Sequence, residues 1–111
     1  MTTVTILGSI NSITTYVFNG CTSLTSITIP TTVTTIGNYA FGSTGLKSVS
    51  LPTTLSTISD LAFQNSALVS ITIPTRVTSI GWYVFKSCTS LTSVIIHTSV
   101  ATIGITFIMI T

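Results

Sequence analysis

The sequence predicts a repeat solenoid of about five coils whose short strands run parallel, and three observations support this. Residues 24–41 and 68–85 read almost identically, similar stretches recur every 22 or 23 residues, and apolar residues return at the same places in each copy. A fixed period of roughly 20 to 29 residues is typical of solenoids that stack one supersecondary unit per turn. We therefore interpret the chain as a single domain with repeats at 1–23, 24–45, 46–67, 68–90 and 91–111.

Each repeat is predicted to contain two short strands. Segments such as SITI alternate polar and apolar residues and are rich in β-branched types, which favours a strand. Proline follows this strand in repeats two to four and ends it, because proline cannot donate to a sheet ladder. A second strand, TTIG or TSIG, stops at a glycine. The segments NYAF and WYVF are predicted to return the chain through a tight turn or one helical turn.

The aligned copies also predict which side chains form the core. Phenylalanine stands near the end of four copies, and we interpret this column as an internal spine. A second column holds one aliphatic residue per copy. The spine is Phe18, Phe41, Phe63 and Phe85, and the aliphatic column is Ile10, Val33, Leu55, Val77 and Val100.

Only 4% of the residues are charged, against about 25% in an ordinary soluble protein. The charged residues Lys47, Asp60, Arg76 and Lys86 are scattered, so the net charge of +2 forms no basic patch. This excludes the electrostatic footprint of a nucleic-acid-binding protein. Hydroxyl groups must supply the solubility, and such a surface has little charge repulsion to keep copies of the chain apart.

No stretch of the sequence predicts a leader or a membrane span. The start lacks the basic residues of a signal peptide. The most apolar stretch, IGITFIMI at 103–110, is shorter than the ~18 residues that a membrane helix needs. If the protein is exported, its leader has been removed or lies outside this chain.

The pattern LTSITIPxxVTxIGxYAFxxCTS resembles the BspA-like leucine-rich repeats of bacterial and protist cell-surface proteins, and the resemblance covers essentially the whole chain. It implies a right-handed leucine-rich repeat solenoid, mainly β with short turn or helical segments. It also implies an extracellular or cell-surface location and a role in adhesion or protein binding. The sequence departs from the pattern at Ser59 in place of Gly, at His97 in place of Pro, and at Thr44 and Ser66 in place of Cys.

The two cysteines, Cys21 and Cys88, occupy the same place in the first and fourth copies. Solenoid coils stack at the strand spacing of about 4.7 to 4.9 Å, so three coils separate the two residues by roughly 14 Å. A disulfide requires Cα atoms within about 7 Å. We therefore expect two buried free thiols, with no disulfide and no metal site.

The titratable residues predict that the chain is not an enzyme and holds no cofactor. General acid–base catalysis requires a pair of titratable groups at close range, and a hydroxyl nucleophile requires a base. The chain has one Asp, no Glu and one His. Asp60 and His97 belong to different copies and different coil positions, and Asp60 is predicted to occupy an exposed turn.

Two further columns are candidates for binding. Tyr16, Tyr39 and Tyr83 align with one another, either as structural residues or as a recognition stripe, although Leu61 and Thr106 interrupt the column. Hydroxyl residues on the outward side of the first strands resemble the arrays of ice-binding β-solenoids. The alternative is that these hydroxyls only make the sheet face hydrophilic without adding charge. This candidate surface-binding ladder is Thr5, Ser26, Thr28, Ser48, Ser70 and Thr72.

The chain opens and closes on apolar repeat positions, whereas a solenoid needs polar caps at its ends. This predicts a non-enzymatic structural subunit that stacks head to tail with copies of itself into an extracellular filament or surface layer. The alternative is an adhesion or protein-binding module of a larger cell-surface protein, with host or matrix proteins as partners. The predicted assembly interface is Met1, Val4, Ile6, Ile10, Val94, Ile96, Ile103, Ile105, Phe107 and Ile108.

Overall fold

The computed structural model describes residues 2–96 and 102–103, which form a solenoid of short parallel strands. No helix occurs in these two ranges, so the return segments are turns rather than helical. The strands are β1 Thr2–Thr5, β2 Ser12–Ile13, β3 Leu24–Thr28, β4 Thr35–Ile36, β5 Thr57–Ile58, β6 Ser70–Thr72, β7 Ser79–Ile80, β8 Ser93–Ile95 and β9 Thr102–Ile103. Every strand pairing is parallel, which confirms the predicted fold class.

The second strand of each coil joins one continuous sheet. Its order is β2-β4-β5-β7-β9, with one strand from each of five coils. The register keeps equivalent residues opposite one another, as in the pairs Thr35↔Thr57 and Ile36↔Ile58. The isoleucines of β2, β4, β5 and β7 are buried and the residues before them are half-buried, as expected where alternate side chains point to opposite faces. This sheet fixes the distance between coils.

The first strands do not form a continuous sheet. They form two separate ribbons, β1-β3 and β6-β8, and residues 48–51 of the third coil form no strand. The prediction of a strand in every repeat was therefore wrong for this copy. Residues 48–51 read SVSL, with one β-branched residue in four, whereas 26–29 and 70–73 read SITI, with three in four. The third copy has the weakest tendency to form a strand.

The phenylalanine column is an internal spine, as predicted. Phe41, Phe63 and Phe85 are fully buried, and Phe18 is half-buried against them. Neighbouring rings stack with centroid separations of 5.5, 5.4 and 6.0 Å along the column. Each ring stacks on the ring of the next coil, so the spine links successive coils through the core.

Two positions in each return turn have left-handed backbone conformation. The N–H groups of these turns donate to carbonyls of the next coil, as in Tyr16 to Asn38 at 2.9 Å and Phe41 to Ala62 at 2.8 Å. Left-handed backbone costs a residue other than glycine about 1–3 kcal/mol. The residues are Tyr16, Tyr39, Leu61 and Tyr83 at the first position, and Gly20, Ser43, Asn65 and Ser87 at the second.

The aliphatic column is buried except in the first coil. Val33, Leu55 and Val77 are fully buried, whereas Ile10 is 37% exposed. Val100 lies outside the described residues. The first coil contacts a neighbouring coil on one side only, so its side chains have fewer apolar neighbours than those of the coils that follow.

Replacement of Phe63 by Ala is expected to lower the free energy of unfolding by about 3–5 kcal/mol, because the variant leaves a cavity between two stacked rings. Chemical denaturation monitored by circular dichroism measures this loss. Val17→Ala is the control, since Val17 is 47% exposed and its truncation is expected to cost less than about 1 kcal/mol. Equal losses for the two variants would contradict the spine.

Candidate functional site

The outward side chains of the first strands form a face of hydroxyl groups, here called the hydroxyl face. All six residues of the predicted ladder lie on it and are exposed: Thr5, Ser26, Thr28, Ser48, Ser70 and Thr72. Strand alternation explains the arrangement, because Ile27 and Ile71 lie between these residues and are buried. Thr5 stands directly opposite Thr28 in the β1-β3 register.

The six hydroxyls of this face have no protein partner. Within residues 2–96, none of the six donates to or accepts from a protein group through its side chain. Elsewhere, hydroxyls donate to carbonyls one coil away, as in Thr32 to Ile10 at 2.6 Å and Thr54 to Val33 at 2.7 Å. These bonds link coils, whereas the hydroxyls of the face are available to a ligand.

The hydroxyl face is divided into two ribbons by the third coil. Ser48 belongs to residues 48–51, here called the open segment, which pairs with neither neighbouring strand. In the β6-β8 ribbon, Ile95 stands opposite Thr72 and replaces a hydroxyl. The face is therefore not the regular array that an ice crystal plane would require.

A cavity lies on each side of the open segment. The cavity toward the second coil has a volume of about 290 Å³, and the cavity toward the fourth coil has a volume of about 350 Å³. Their linings combine strand hydroxyls with apolar side chains and contain no charged residue. The first is lined by Thr25, Ser26, Ile27, Thr28, Ile29, Ser48, Val49 and Ser50, and the second by Ser48, Val49, Ser50, Leu51, Thr53, Ser70, Ile71, Thr72 and Pro74.

The acidic residue of the chain has a structural role. Asp60 lies in a turn, as predicted, but is half-buried rather than exposed. Its Oδ1 accepts the backbone N–H of Trp82 at 2.8 Å, and its own N–H donates to Asn38 Oδ1 at 3.1 Å. These bonds link Asn38, Asp60 and Trp82, which occupy the same place in three successive coils. Residues 2–96 contain no group of three or more His, Cys, Asp and Glu side chains that suits a metal ion, and His97 lies outside the described residues.

The two cysteines are free, as predicted, but only one is buried. Cys88 Sγ donates to the Phe63 carbonyl at 3.1 Å and lies 3.3 Å from Ser66 Oγ. Thr44 fills the same slot one coil earlier than Ser66, and its hydroxyl donates to the Phe41 carbonyl at 3.0 Å. Cys21 is exposed, which corrects the prediction, because it lies in the first coil and lacks a neighbouring coil on one side.

The tyrosine column forms one stacked pair and one separate cluster. The rings of Tyr16 and Tyr39 are parallel, with centroids 4.9 Å apart. Leu61 interrupts the column, and Tyr83 instead contacts Lys86, whose Nζ lies 5.3 Å from the ring centroid. Trp82 is 51% exposed beside Tyr83. Alignment of the copies finds the column, but the contact with Lys86 depends on how one turn orients two side chains.

The predicted assembly residues are only partly described. Val4, Ile6, Val94 and Ile96 are half-buried and pack against the core, whereas Ile10 is exposed. Met1, Ile105, Phe107 and Ile108 lie outside the described residues, and Ile103 is described only as part of β9. At the first coil, a cavity of about 310 Å³ is lined by Thr2, Val4, Phe18, Gly20, Cys21, Thr22, Ser23 and Leu24.

A family model described as "BspA type Leucine rich repeat region" matches residues 1–108 in six copies, against the five repeats aligned above. This chain belongs to that family. The resemblance predicted from the repeat pattern is thereby confirmed. No curated protein is a match to the chain. None of the described residues forms a helix that is long and apolar enough to span a membrane.

Solved leucine-rich repeat structures share the fold. The T. pallidum leucine-rich repeat protein TpLRR is 33% identical, has a TM-score of 0.83, and covers 92% of this chain and 51% of its own. A leucine-rich repeat protein from Bacteroides ovatus is 22% identical at a TM-score of 0.69, and the match covers 92% of this chain and 32% of that one. The pneumococcal vaccine antigen PcpA is 23% identical at a TM-score of 0.70, with 88% and 29% covered. The chain spans about half the length of TpLRR.

The different environments of the two thiols predict different reactivities. Without reductant, a maleimide is expected to label Cys21 rapidly in the folded protein and Cys88 only after unfolding, because Cys88 is buried and hydrogen-bonded. Intact-mass measurement counts the labels, and Cys21→Ser is the control that removes the rapid label. An unlabelled protein in denaturant would indicate a disulfide and contradict the coil register.

Proposed function

We propose that the chain is a non-enzymatic protein-binding module of a cell-surface protein, and that the hydroxyl face is its contact surface. The observation that supports this most strongly is the set of six exposed hydroxyls without protein partners, beside two cavities with uncharged linings. Hydroxyls both donate and accept, so such a face adapts to many polar backbones and side chains. Membership of the BspA-type family supports the surface location and the adhesion role.

The chemistry of the described residues supports binding over catalysis. The one carboxylate, Asp60, accepts a backbone N–H and lies in a column of turn residues rather than beside a nucleophile. Catalysis by a hydroxyl or thiol requires a base within hydrogen-bond reach. The repeat family and its fold are typically structural or binding modules.

Lysine in place of Ser26 or Ser70 is expected to weaken binding of a protein partner by at least about tenfold. The interface would have to bury a charge that has no partner on this uncharged face. Binding of the purified chain to an array of secreted and surface proteins, followed by titration of the saturable binders, measures the effect. Thr78→Lys is the matched control, because Thr78 lies in the same coil as Ser70 and is exposed on another side.

Two results of this experiment would count against the proposal. The first is the absence of any saturable protein binder. The second is an equal loss of affinity in the Thr78→Lys control, which would show that added charge acts without regard to its position.

Head-to-tail assembly with copies of the chain, into a filament or surface layer, is a second candidate function. The observation that favours it is the cavity of about 310 Å³ on the first coil. The Phe18 ring and the Val4 side chain line this cavity and are only half-buried. A coil from another copy would continue the column of stacked rings there. Such a contact is heterologous, and a heterologous contact that does not close gives a filament rather than a ring.

Thr22→Lys tests assembly, because Thr22 is exposed and lines this cavity. The parent chain is expected to sediment faster as its concentration rises, and Thr22→Lys is expected to remain a monomer because a charge enters the docking surface. Thr31→Lys is the control at an exposed site of the second coil and is expected to behave as the parent. A parent that sediments as a monomer at every concentration would exclude assembly.

A further inference from the structure

We propose that the return turn of the fourth coil, residues 82–86, is a second binding site, here called the tryptophan site, and that its ligand is an acidic sugar. The ligand class is a pyranose ring that carries a carboxylate or another anionic group. The site is separate from the hydroxyl face, because that face belongs to the first strands, whereas residues 82–86 form a turn after β7.

Trp82 provides an aromatic surface that the repeat itself does not require. It is the one tryptophan of the chain and is 51% exposed. The equivalent residues of the first three copies are Thr15, Asn38 and Asp60, which are smaller and polar. An indole ring offers a flat apolar face together with one N–H donor, which suits a ligand that is apolar on one face and polar at its rim.

The third coil fixes the backbone that carries this ring. The Trp82 N–H donates to Asp60 Oδ1 at 2.8 Å, and the Leu61 N–H donates to the Trp82 carbonyl at 2.9 Å. The Tyr83 ring adjoins the indole, with centroids 6.5 Å apart and planes inclined by 42°. The two rings therefore meet at an angle and do not stack on each other.

Lys86 adds a positive charge beside the two rings. Its Nζ lies 5.3 Å from the Tyr83 ring centroid. The equivalent residues of the first three copies, Asn19, Gly42 and Gln64, are uncharged. Among the described residues, no carboxylate forms an ion pair with this exposed ammonium group. An anionic group of a ligand would be its first charged partner there.

The backbone of the return turns also favours an anion at this end of the described coils. Three chains of hydrogen-bonded amides run through these turns, and in all three the N–H groups point toward the later coils. The bonds of one chain run from Tyr16 to Asn38, from Tyr39 to Asp60 and from Leu61 to Trp82, with lengths of 2.9, 3.2 and 2.9 Å. The other two chains begin at Phe18 and Gly20. Aligned amide dipoles add, as they do in a helix, and stabilise negative charge toward their N–H end.

The combination of rings and charge selects an acidic sugar over simpler ligands. A pyranose has a face of C–H groups that covers an aromatic ring, and its hydroxyls accept from an indole N–H. A carboxylate on the same ring pairs with the Lys86 ammonium through a charge-assisted hydrogen bond. An inorganic anion would leave Trp82 uncovered, and an apolar ligand would leave Lys86 without an anion. An aspartate or glutamate side chain is too narrow to cover the indole.

The first experiment uses the fluorescence of Trp82, which reports on this site alone because the chain contains no other tryptophan. Titration of the whole chain with N-acetylneuraminic acid is expected to change the emission in a saturable way. Glucuronic acid and galactose 6-sulfate distinguish a carboxylate from a sulfate as the anionic group, and saturation by either supports the site. Galactose, which has no charge, is expected to bind at least about tenfold more weakly.

Three results of this titration would overturn the proposal. The first is the absence of a saturable change with all three acidic sugars. The second is equal binding of galactose, which would show that charge is not recognised. The third is equal or tighter binding of a capped Gly-Asp-Gly-Asp peptide, which would show that the ligand is an acidic protein segment.

The second experiment removes the charge by mutation. Lys86→Gln is expected to weaken binding of the acidic sugar at least about tenfold, whereas Lys86→Arg retains the charge and is expected to lose less than about threefold. Lys47→Gln is the matched control, because it removes the same charge from an exposed position of the third coil. Equal losses for Lys86→Gln and Lys47→Gln would show that net charge acts without a site and would overturn the proposal.

The third experiment removes the ring. Because Trp82→Ala also removes the fluorescence, its binding is measured by saturation-transfer NMR on the sugar, and the transfer is expected to disappear. Tyr16→Ala is the control, since it removes a ring that is 56% exposed in the first coil and is expected to bind as the parent. Circular dichroism verifies that both variants are folded, and Trp82→Phe, which keeps a ring, is expected to retain transfer. Full transfer in folded Trp82→Ala would overturn the proposal.

Discussion

The structure depends on hydrogen bonds between the backbones of successive coils. Parallel pairing holds neighbouring strands about 4.7–4.9 Å apart, and every side-chain column must then stack at nearly that distance. The ring separations of 5.4 to 6.0 Å along the phenylalanine spine are the result. Flat rings, branched aliphatic chains and hydroxyls suit this spacing, whereas stacked like charges repel. The composition of 4% charged residues agrees with this constraint.

The same spacing places threonine and serine in three settings that composition does not separate. On one part of the coil, hydroxyls such as Thr54 and Ser56 donate to a carbonyl one coil away and strengthen the ladder. Inside the core, the Thr44 hydroxyl donates to the Phe41 carbonyl and Ser66 Oγ bonds to Cys88 Sγ. The six hydroxyls of the hydroxyl face have no protein partner. Hydroxyls that already bond a protein group are not free for recognition, so the abundance of hydroxyls alone does not locate a binding surface.

The sequence predicted the features that repeat, and it missed features that differ between copies. Columns of Phe and Ile identified the fold and the core because equivalent residues are buried in successive copies. The alignment treated residues 48–51 as equivalent to 70–73, but one β-branched residue in four is too few to maintain the ladder. Exposure of Cys21 and Ile10 depends on the neighbours of the first coil, and alignment of copies contains no information about neighbours.

The open segment is tolerated because its unpaired groups lie beside cavities open to the surface rather than in a dry core. An unpaired backbone group that is buried costs about 1–3 kcal/mol, whereas an intramolecular hydrogen bond contributes a net of only about 0.5–1.5 kcal/mol over one to water. Loss of the ladder at 48–51 is therefore a modest cost when water reaches the backbone. The second sheet and the phenylalanine spine, which both continue through the third coil, offset it.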